Sequence, residues 1–244
     1  MSVTKRQSEI LKIIEDNLYI SVNELADITF TSASSIRRDL TVLQNLGLVK
    51  RSHGGVGLTQ VTDKVAGFYS RATQNIREKR AIAKKAASLL RDGQSILLDS
   101  SSTASFMLPY IAKLDSPVVF TNNLETAISA VKQGITTHCL GGTSVNGSVA
   151  LAGSQTYKAL SDISVDIVFF SSQSLDKNGL ISDSTEEENF VRQLMLKRAK
   201  TTVFLCDSEK FGRSSLYKLT SLDDIDFAVL GEAFEELTTQ TTIL

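Results

Sequence analysis

Ile10, Leu11, Ile13, Ile14 and Leu18 recur at helical spacing, so the pattern of apolar positions predicts an amphipathic helix over Lys5–Asn17. Ser21-x-x-Glu24 then has the form of a capping box ahead of Leu25 and Ile28, which starts a short second helix. Thr31 or Ser32 caps a third helix running to about Leu46, and Gly47 suits the left-handed position that ends it. At 100° per residue, Ile36, Leu40 and Leu43 fall within about 60° of one another and form the core stripe of that helix. Ser34, Arg38, Thr41 and Asn45 fall on the opposite side with Arg37 on its flank, so the outer face is basic and rich in short hydrogen-bonding groups. Asp39 falls near the buried stripe, placed to orient an arginine or cap a neighbour. The following stretch, "GLVKRSHGGVGL", has two short apolar runs around a glycine pair. It predicts a hairpin turning at His53, Gly54 and Gly55, with Lys50, Arg51 and His53 at its tip.

Residues 58–76 are mixed and polar without a sustained period, as in a linker. "REKRAIAKKAASLL" starts a helix, and strand-like runs then alternate with helical segments to the end. The runs are "SILLDS", "PVVFTN", "ITTHCLGG", "VDIVFFSS", "TTVFLCDS" and "IDFAVLG". Several are continuously apolar, as in parallel strands buried on both faces. The fold class is therefore α/β: a winged helix-turn-helix at 1–57, a linker at 58–78, and a mainly parallel, doubly wound α/β domain at 79–244.

Composition refines this picture. Apolar content of 42% and charged content of 22% are ordinary for a globular protein. No apolar run approaches the length of a membrane span, and the first ten residues hold no apolar signal core, so a cytoplasmic, membrane-free protein is expected. Two well-separated cysteines, Cys139 and Cys206, point to reduced thiols. The adjacent His138 and Cys139 are expected in a strand core rather than on a metal, and no metal or cofactor is expected. The net charge of −1 conceals an asymmetry: the first 85 residues hold 14 Lys and Arg against 8 Asp and Glu, and the remainder holds 12 against 19. A basic front suits a polyanion, although charge clustering alone would produce the same count.

The basic polar face of the third helix has the layout that enters the DNA major groove, where arginine reads guanine edges or fixes phosphates. A solvated helix face is the competing reading of the angles alone. In the α/β half, ligands bind beyond the carboxyl ends of the strands. Asp99, Ser100, Ser101, Ser102 and Thr103 follow one run, where hydroxyls and N–H groups suit a phosphate, with simple capping by serine as the alternative. Asn122 and Asn123 follow the next, then Gly141 and Gly142, and Asp207 with Lys210 follows "VFLC". A surface ion pair is the alternative for that last pair.

"SSIRRDLTVLQNLGLVKRSHGG" closely resembles the signature of DeoR-type bacterial transcriptional regulators, and "LLDSSSTA", "VVFTNN", "LGG" and "LCDSEKFG" resemble the effector domain of the same family. The resemblance implies a DNA-binding winged helix with Ser34, Ser35, Arg37 and Arg38 on the recognition helix and Arg51 and His53 in the wing, and Thr41, on the same outer face by angle, is expected to contact DNA with them. It also implies an effector domain similar to ribose-5-phosphate isomerase, with Asp99, Ser102, Thr103, Asn122, Gly142, Glu188, Asp207 and Lys210 as pocket residues. The expected partners are operator DNA, a phosphorylated sugar and further copies of the chain; the expected role is a repressor of sugar metabolism, with no enzymatic activity. Ser101, Ser171, Ser174 and Glu209 depart from the family pattern, the first three where glycine is common, and put the phosphate contact in question. Two other classes fit parts of the sequence: a sugar-phosphate isomerase using Asp99, Glu188 or Asp207 as acid and base, and an α/β module whose front end binds protein.

Overall fold

Gln7, Ile10 and Ile14 line the buried side of the first helix, α1 (Lys5–Asn17), and the chain turns through β1 (Tyr19–Ser21) into α2 (Val22–Ile28). In this computed structural model, residues 4–17, 19–52, 55–58, 63–231, 234, 237 and 239–244 are described. Ser21 Oγ accepts the Glu24 N–H at 3.1 Å and Glu24 Oε2 accepts the Ser21 N–H at 3.0 Å, so the capping box forms. Ser32 caps α3 (Ala33–Asn45), which buries Ile36, Asp39, Leu40 and Leu43. Gly47, at φ +71°, ends it: its N–H donates to the Gln44 carbonyl at 2.9 Å and the Leu48 N–H to that of Leu43 at 3.0 Å. β2 (Val49–Ser52) and β3 (Gly55–Leu58) then form the wing, with β1 completing an antiparallel sheet in the order β1-β3-β2. Asp39 does orient an arginine, but the arginine is Arg6 of α1: Arg6 Nε donates to it at 2.7 Å and Gln7 Nε2 at 3.1 Å.

The segment expected as a linker contains a helix instead, α4 (Asp63–Thr73), packed on β1, β2 and β3. Phe68 is buried, and Tyr69 stacks on Tyr19 with ring centroids 5.8 Å apart. Gly67 and Ser70, both poor helix formers, obscured its apolar period.

The chain divides into two compact units, 1–74 with 146–148, and 75–145 with 149–244. The second begins with α5 (Ile76–Ala86), β4 (Ser95–Leu98), α6 (Leu108–Ile111), β5 (Val118–Thr121), α7 (Leu124–Lys132) and β6 (Thr136–Cys139). A hairpin of β7 (Thr143–Ser144) and β8 (Leu151–Ala152) leads to α8 (Ser154–Ser161) and β9 (Val165–Phe170). β10 (Ser174–Leu175), β11 (Leu180–Asp183), α9 (Glu186–Leu196), β12 (Ala199–Cys206), β13 (Tyr217–Ser221), β14 (Phe227–Leu230) and β15 (Thr242–Ile243) complete it.

Seven strands form one parallel sheet in the order β15-β14-β12-β9-β4-β5-β6. All six runs marked in the sequence are in it. Successive residues of its central strands enter opposite cores: Leu97, Val168 and Phe204 one, Ile96, Phe169 and Leu205 the other. The chain winds from β4 through β5 to β6, then returns to build β9, β12, β14 and β15 on the other side. The direction of winding therefore reverses between β4 and β9, and at such a reversal the carboxyl ends of the strands part to leave a crevice. A small antiparallel sheet, β10-β11-β13, was not anticipated.

Cys139 is not in a strand core. It is exposed on β6, the last strand of the sheet, while the neighbouring His138 is also exposed and stacks on Phe120 at 4.7 Å. Cys206 is buried, and burial pushes its thiol up to about 12. Among the described residues no group of three His, Cys, Asp or Glu is placed to hold a metal, and no helix is long and apolar enough to cross a membrane.

Candidate functional site

On α3, Ser34, Arg37, Arg38 and Thr41 are exposed and Ser35 is half-buried. Arg38 folds back along its own helix, with Nε 3.4 Å from the Ser34 carbonyl oxygen and Nη2 3.5 Å from Ser35 Oγ. Arg51 reaches across from β2, and its Nη1 donates to Thr41 Oγ1 at 3.2 Å. The wing arginine and the outer face of the helix therefore form one basic surface. His53 lies outside the described residues.

At the carboxyl end of the parallel sheet, the loop after β4 is held from several sides. Asp99 is fully buried. Its Oδ1 accepts the Ser101 N–H at 3.1 Å and the Ser101 hydroxyl at 2.5 Å; its Oδ2 accepts Arg192 Nε at 2.7 Å and the Ser171 N–H at 3.4 Å. A carboxylate with four donors is a fixed structural acceptor with no lone pair directed at a substrate. Ser101 Oγ also accepts the Ala104 N–H at 3.1 Å, so the serine that stands in place of glycine caps the loop internally. Ser102 and Thr103 are buried beside it, and Ser100 Oγ accepts Arg192 Nη2 at 3.3 Å.

Lys210 meets this loop beside the carboxyl ends of β4 and β9. Its Nζ donates to Ser171 Oγ at 2.7 Å and Thr103 Oγ1 at 3.1 Å, and lies 3.1 Å from Asp207 Oδ2. The pair of Lys210 and Asp207 is thus not a surface ion pair, since Asp207 is buried and Lys210 nearly so. Asn123 Nδ2 donates to the Ser100 carbonyl at 2.9 Å, joining the end of β5 to the same loop. Asn122 donates to the Leu151 carbonyl at 2.9 Å, and its Oδ1 is buried without a hydrogen-bond partner.

Gly142 sits one step outward. Its φ is +115°, and a Cβ there would collide with Thr156 Oγ1 and come within 2.6 Å of the Ala152 carbonyl oxygen. Glycine is required so that the β7–β8 hairpin and α8 can approach. Glu188 is half-buried on α9, accepts the Thr185 hydroxyl at 3.1 Å, and contributes negative charge near Arg192. Glu209 is exposed.

The sequence reading missed the centre of this arrangement, Arg192. Burial opposes its charge, but Asp183, Asp99 and Glu188 outweigh burial and hold it protonated. Its Nη1 donates to Asp183 Oδ2 at 3.0 Å, and Asp183 Oδ1 also accepts the Gln173 N–H at 3.1 Å. Burial pushes the Asp183 carboxyl up, and the guanidinium only partly offsets this. A signal was present: Arg192 shares the buried side of α9 with Asn189, Val191 and Met195, and a cation on a buried stripe needs a buried acid.

Residues 6–62 match the DeoR-like helix-turn-helix domain and residues 74–232 the DeoR C terminal sensor domain. The chain belongs to the DeoR family of transcriptional regulators. It is 33% identical over 226 residues to the HTH-type transcriptional regulator GolR of Listeria innocua, covering 92% of this chain and 89% of that protein. It is also 33% identical over 223 residues to the L-fucose operon activator of Haemophilus influenzae, covering 91% and 89%. Among solved structures, ribose 5-phosphate isomerase A of Methanocaldococcus jannaschii is similar over 57% of this chain and 55% of that one, at 19% identity and a TM-score of 0.43. The family relationship makes this protein a DNA-binding regulator with a sensor domain, not an enzyme.

Proposed function

We propose that this DeoR-family protein occupies an operator of a sugar-metabolism operon in the cytoplasm as a repressor, and that a phosphorylated sugar bound in its α/β unit changes that occupancy. The observation that carries the DNA part is the continuous basic surface of Ser34, Ser35, Arg37, Arg38 and Thr41 on α3 with Arg51 bonded to Thr41. Arginines on that face make base or phosphate contacts, and Arg51 and His53 of the wing touch the backbone beside them.

For the effector, Lys210 with the hydroxyls of Ser100, Ser102 and Thr103 supplies the chemistry of a phosphate site. Asn122 Oδ1 and Asp207 are acceptors suited to sugar hydroxyls. Asp99, Ser101, Gly142 and Glu188 shape the pocket rather than contact the phosphate. An interior serine cap at Ser101 means that an anion competes with a bond already made, which favours a ligand whose hydroxyls contribute as much as its phosphate.

Operator DNA selected from a random pool, run in gel shift, tests the first part. Arg37→Ala and Arg38→Ala should each weaken binding by about 1–3 kcal/mol where the arginine contacts a base, with unchanged melting. Wild-type affinity in both would remove α3 from the recognition role. A panel of sugar phosphates and their unphosphorylated sugars, titrated by calorimetry, tests the second. Binding by no phosphorylated member at millimolar concentration would reject that effector class. A promoter–reporter fusion reads the sign of regulation, and rising output on deleting the protein is expected for a repressor.

A further inference from the structure

α7 is apolar on two sides. Thr126 and Ala130 face the sheet and are buried, as expected for a helix covering a parallel sheet. Yet Leu124, Ile128 and Val131 are 41%, 48% and 63% exposed. They are spaced i, i+4, i+7 and so lie within about 60° of one another, a single outward stripe. The outer face of α5 shows the usual alternative, since its Arg77, Arg80, Lys84 and Lys85 are all exposed.

The charges beside the stripe are arranged to match their own image. Glu125 and Lys132 sit seven residues apart, about two turns, on the same flank of Leu124, Ile128 and Val131. Among the described residues neither has an ion-pair partner. A two-fold axis perpendicular to α7 and passing beside Ile128 runs two copies of the helix antiparallel. It places Glu125 of each copy against Lys132 of the other, twice, with the apolar stripes in contact between them. The adjoining β6 is the last strand of the sheet and exposes Thr136, His138 and Cys139, which extends the face beyond the short helix towards the area a stable dimer needs.

We infer that α7 and the edge of β6 form an isologous dimer interface between two copies of this chain, with the two α7 helices antiparallel. The inference does not rest on operator or effector binding, and it is read without either ligand, so its failure leaves the proposed function standing.

Sedimentation of the full chain over a concentration series provides the test. The wild type should dimerise in the micromolar range. Ile128→Glu places two like charges at the axis and should weaken the dimer by roughly 100-fold. Val131→Ser, a milder change at an exposed position, should weaken it in the same direction, and covers the case in which Ile128→Glu does not fold. Glu125→Lys and Lys132→Glu should each weaken association, and the double exchange should restore it, since only direct pairing across the axis gives that rescue. A wild-type monomer at 100-fold higher concentration would overturn the inference, as would a dimer unchanged by folded Ile128→Glu. Single charge variants that weaken association without rescue in the double exchange would overturn the antiparallel pairing.

Discussion

Phe30 follows α2 at φ +49° and is 96% exposed, a conformation in which an aromatic residue gains no packing and meets its own Cβ strain. It performs the service that Gly47 performs after α3: the Thr31 N–H donates back to the Ala26 carbonyl at 2.9 Å and the helix stops. Phe30→Gly should therefore stabilise the winged-helix unit by about 1 kcal/mol, the usual penalty for a side chain in the left-handed region. Phe30→Ala keeps a Cβ and should leave the melting midpoint near wild type. A midpoint for Phe30→Gly below that of Phe30→Ala in thermal unfolding would show that the ring is held by contacts of its own. Nothing in the sequence marked this residue, because an apolar residue in "ITFTS" looks like a core position until the backbone direction is known. Ser34, Arg37 and Arg38 were legible because a helix fixes its angles from spacing alone, and the cap narrowed to Thr31 or Ser32. Asp99 was legible as part of a loop, but its four donors come from three separate parts of the chain, and no local pattern encodes them.

At the scale of elements, α9 is tied to β4 and β11 by one guanidinium. Arg192→Met would leave Asp99 and Asp183 buried without their cation, which should cost about 3–5 kcal/mol of stability in urea unfolding. The pH dependence has a definite sign. Asp183 already titrates above the ordinary carboxylate range, and removing the guanidinium moves it further up. A group raised in the folded state contributes most below its unfolded pKa, and the contribution is lost as pH rises through the folded value. The variant should therefore be more stable, relative to wild type, at pH 5 than at pH 8. Replacing Asp99 and Asp183 by Asn in the same variant should recover part of the loss and flatten this difference. A single variant as stable as wild type at both pH values would mean that the two carboxylates are not held by Arg192. The runs of β4, β9 and β14 were legible because a parallel strand covered on both faces is apolar throughout, whereas β6 is an exposed edge strand marked mainly by its place in the alternation. α4 was not, since Gly67 and Ser70 interrupt its stripe and its packing on the wing is a tertiary preference. The strands β7, β10, β11 and β13 each contain serine or threonine, β8 is only Leu151 and Ala152, and pairing rather than composition makes them strands.

Over the whole molecule, charge separates the two tasks. The first 85 residues carry a net positive charge and the rest a net negative one, so DNA is attracted to one end of the chain and repelled by the other. Operator affinity should then fall steeply as salt rises, because neutralised phosphates release counterions, while affinity for the proposed effector, if one lysine and several hydroxyls hold it, should fall much less. The effector can change operator occupancy only by binding the two DNA-affinity states unequally, and the coupling, typically about 1–3 kcal/mol, must be the same in both directions. Lys210→Ala separates the parts: Lys210 holds Thr103 and Ser171 within the α/β unit, while α3 belongs to the other unit. Operator affinity without effector should stay within about two-fold of wild type, and the shift produced by a bound sugar phosphate should shrink towards none. Calorimetric titration of the wild type with that sugar phosphate, alone and with saturating operator, should give affinities differing by the same factor that the effector produces in gel shift. If Lys210→Ala responds to the effector as the wild type does, the effector binds away from the β4–β9 crevice. If the two coupling factors disagree beyond error in the wild type, the response does not arise from a single linked equilibrium, and a second effector site or a change of assembly state has to be present.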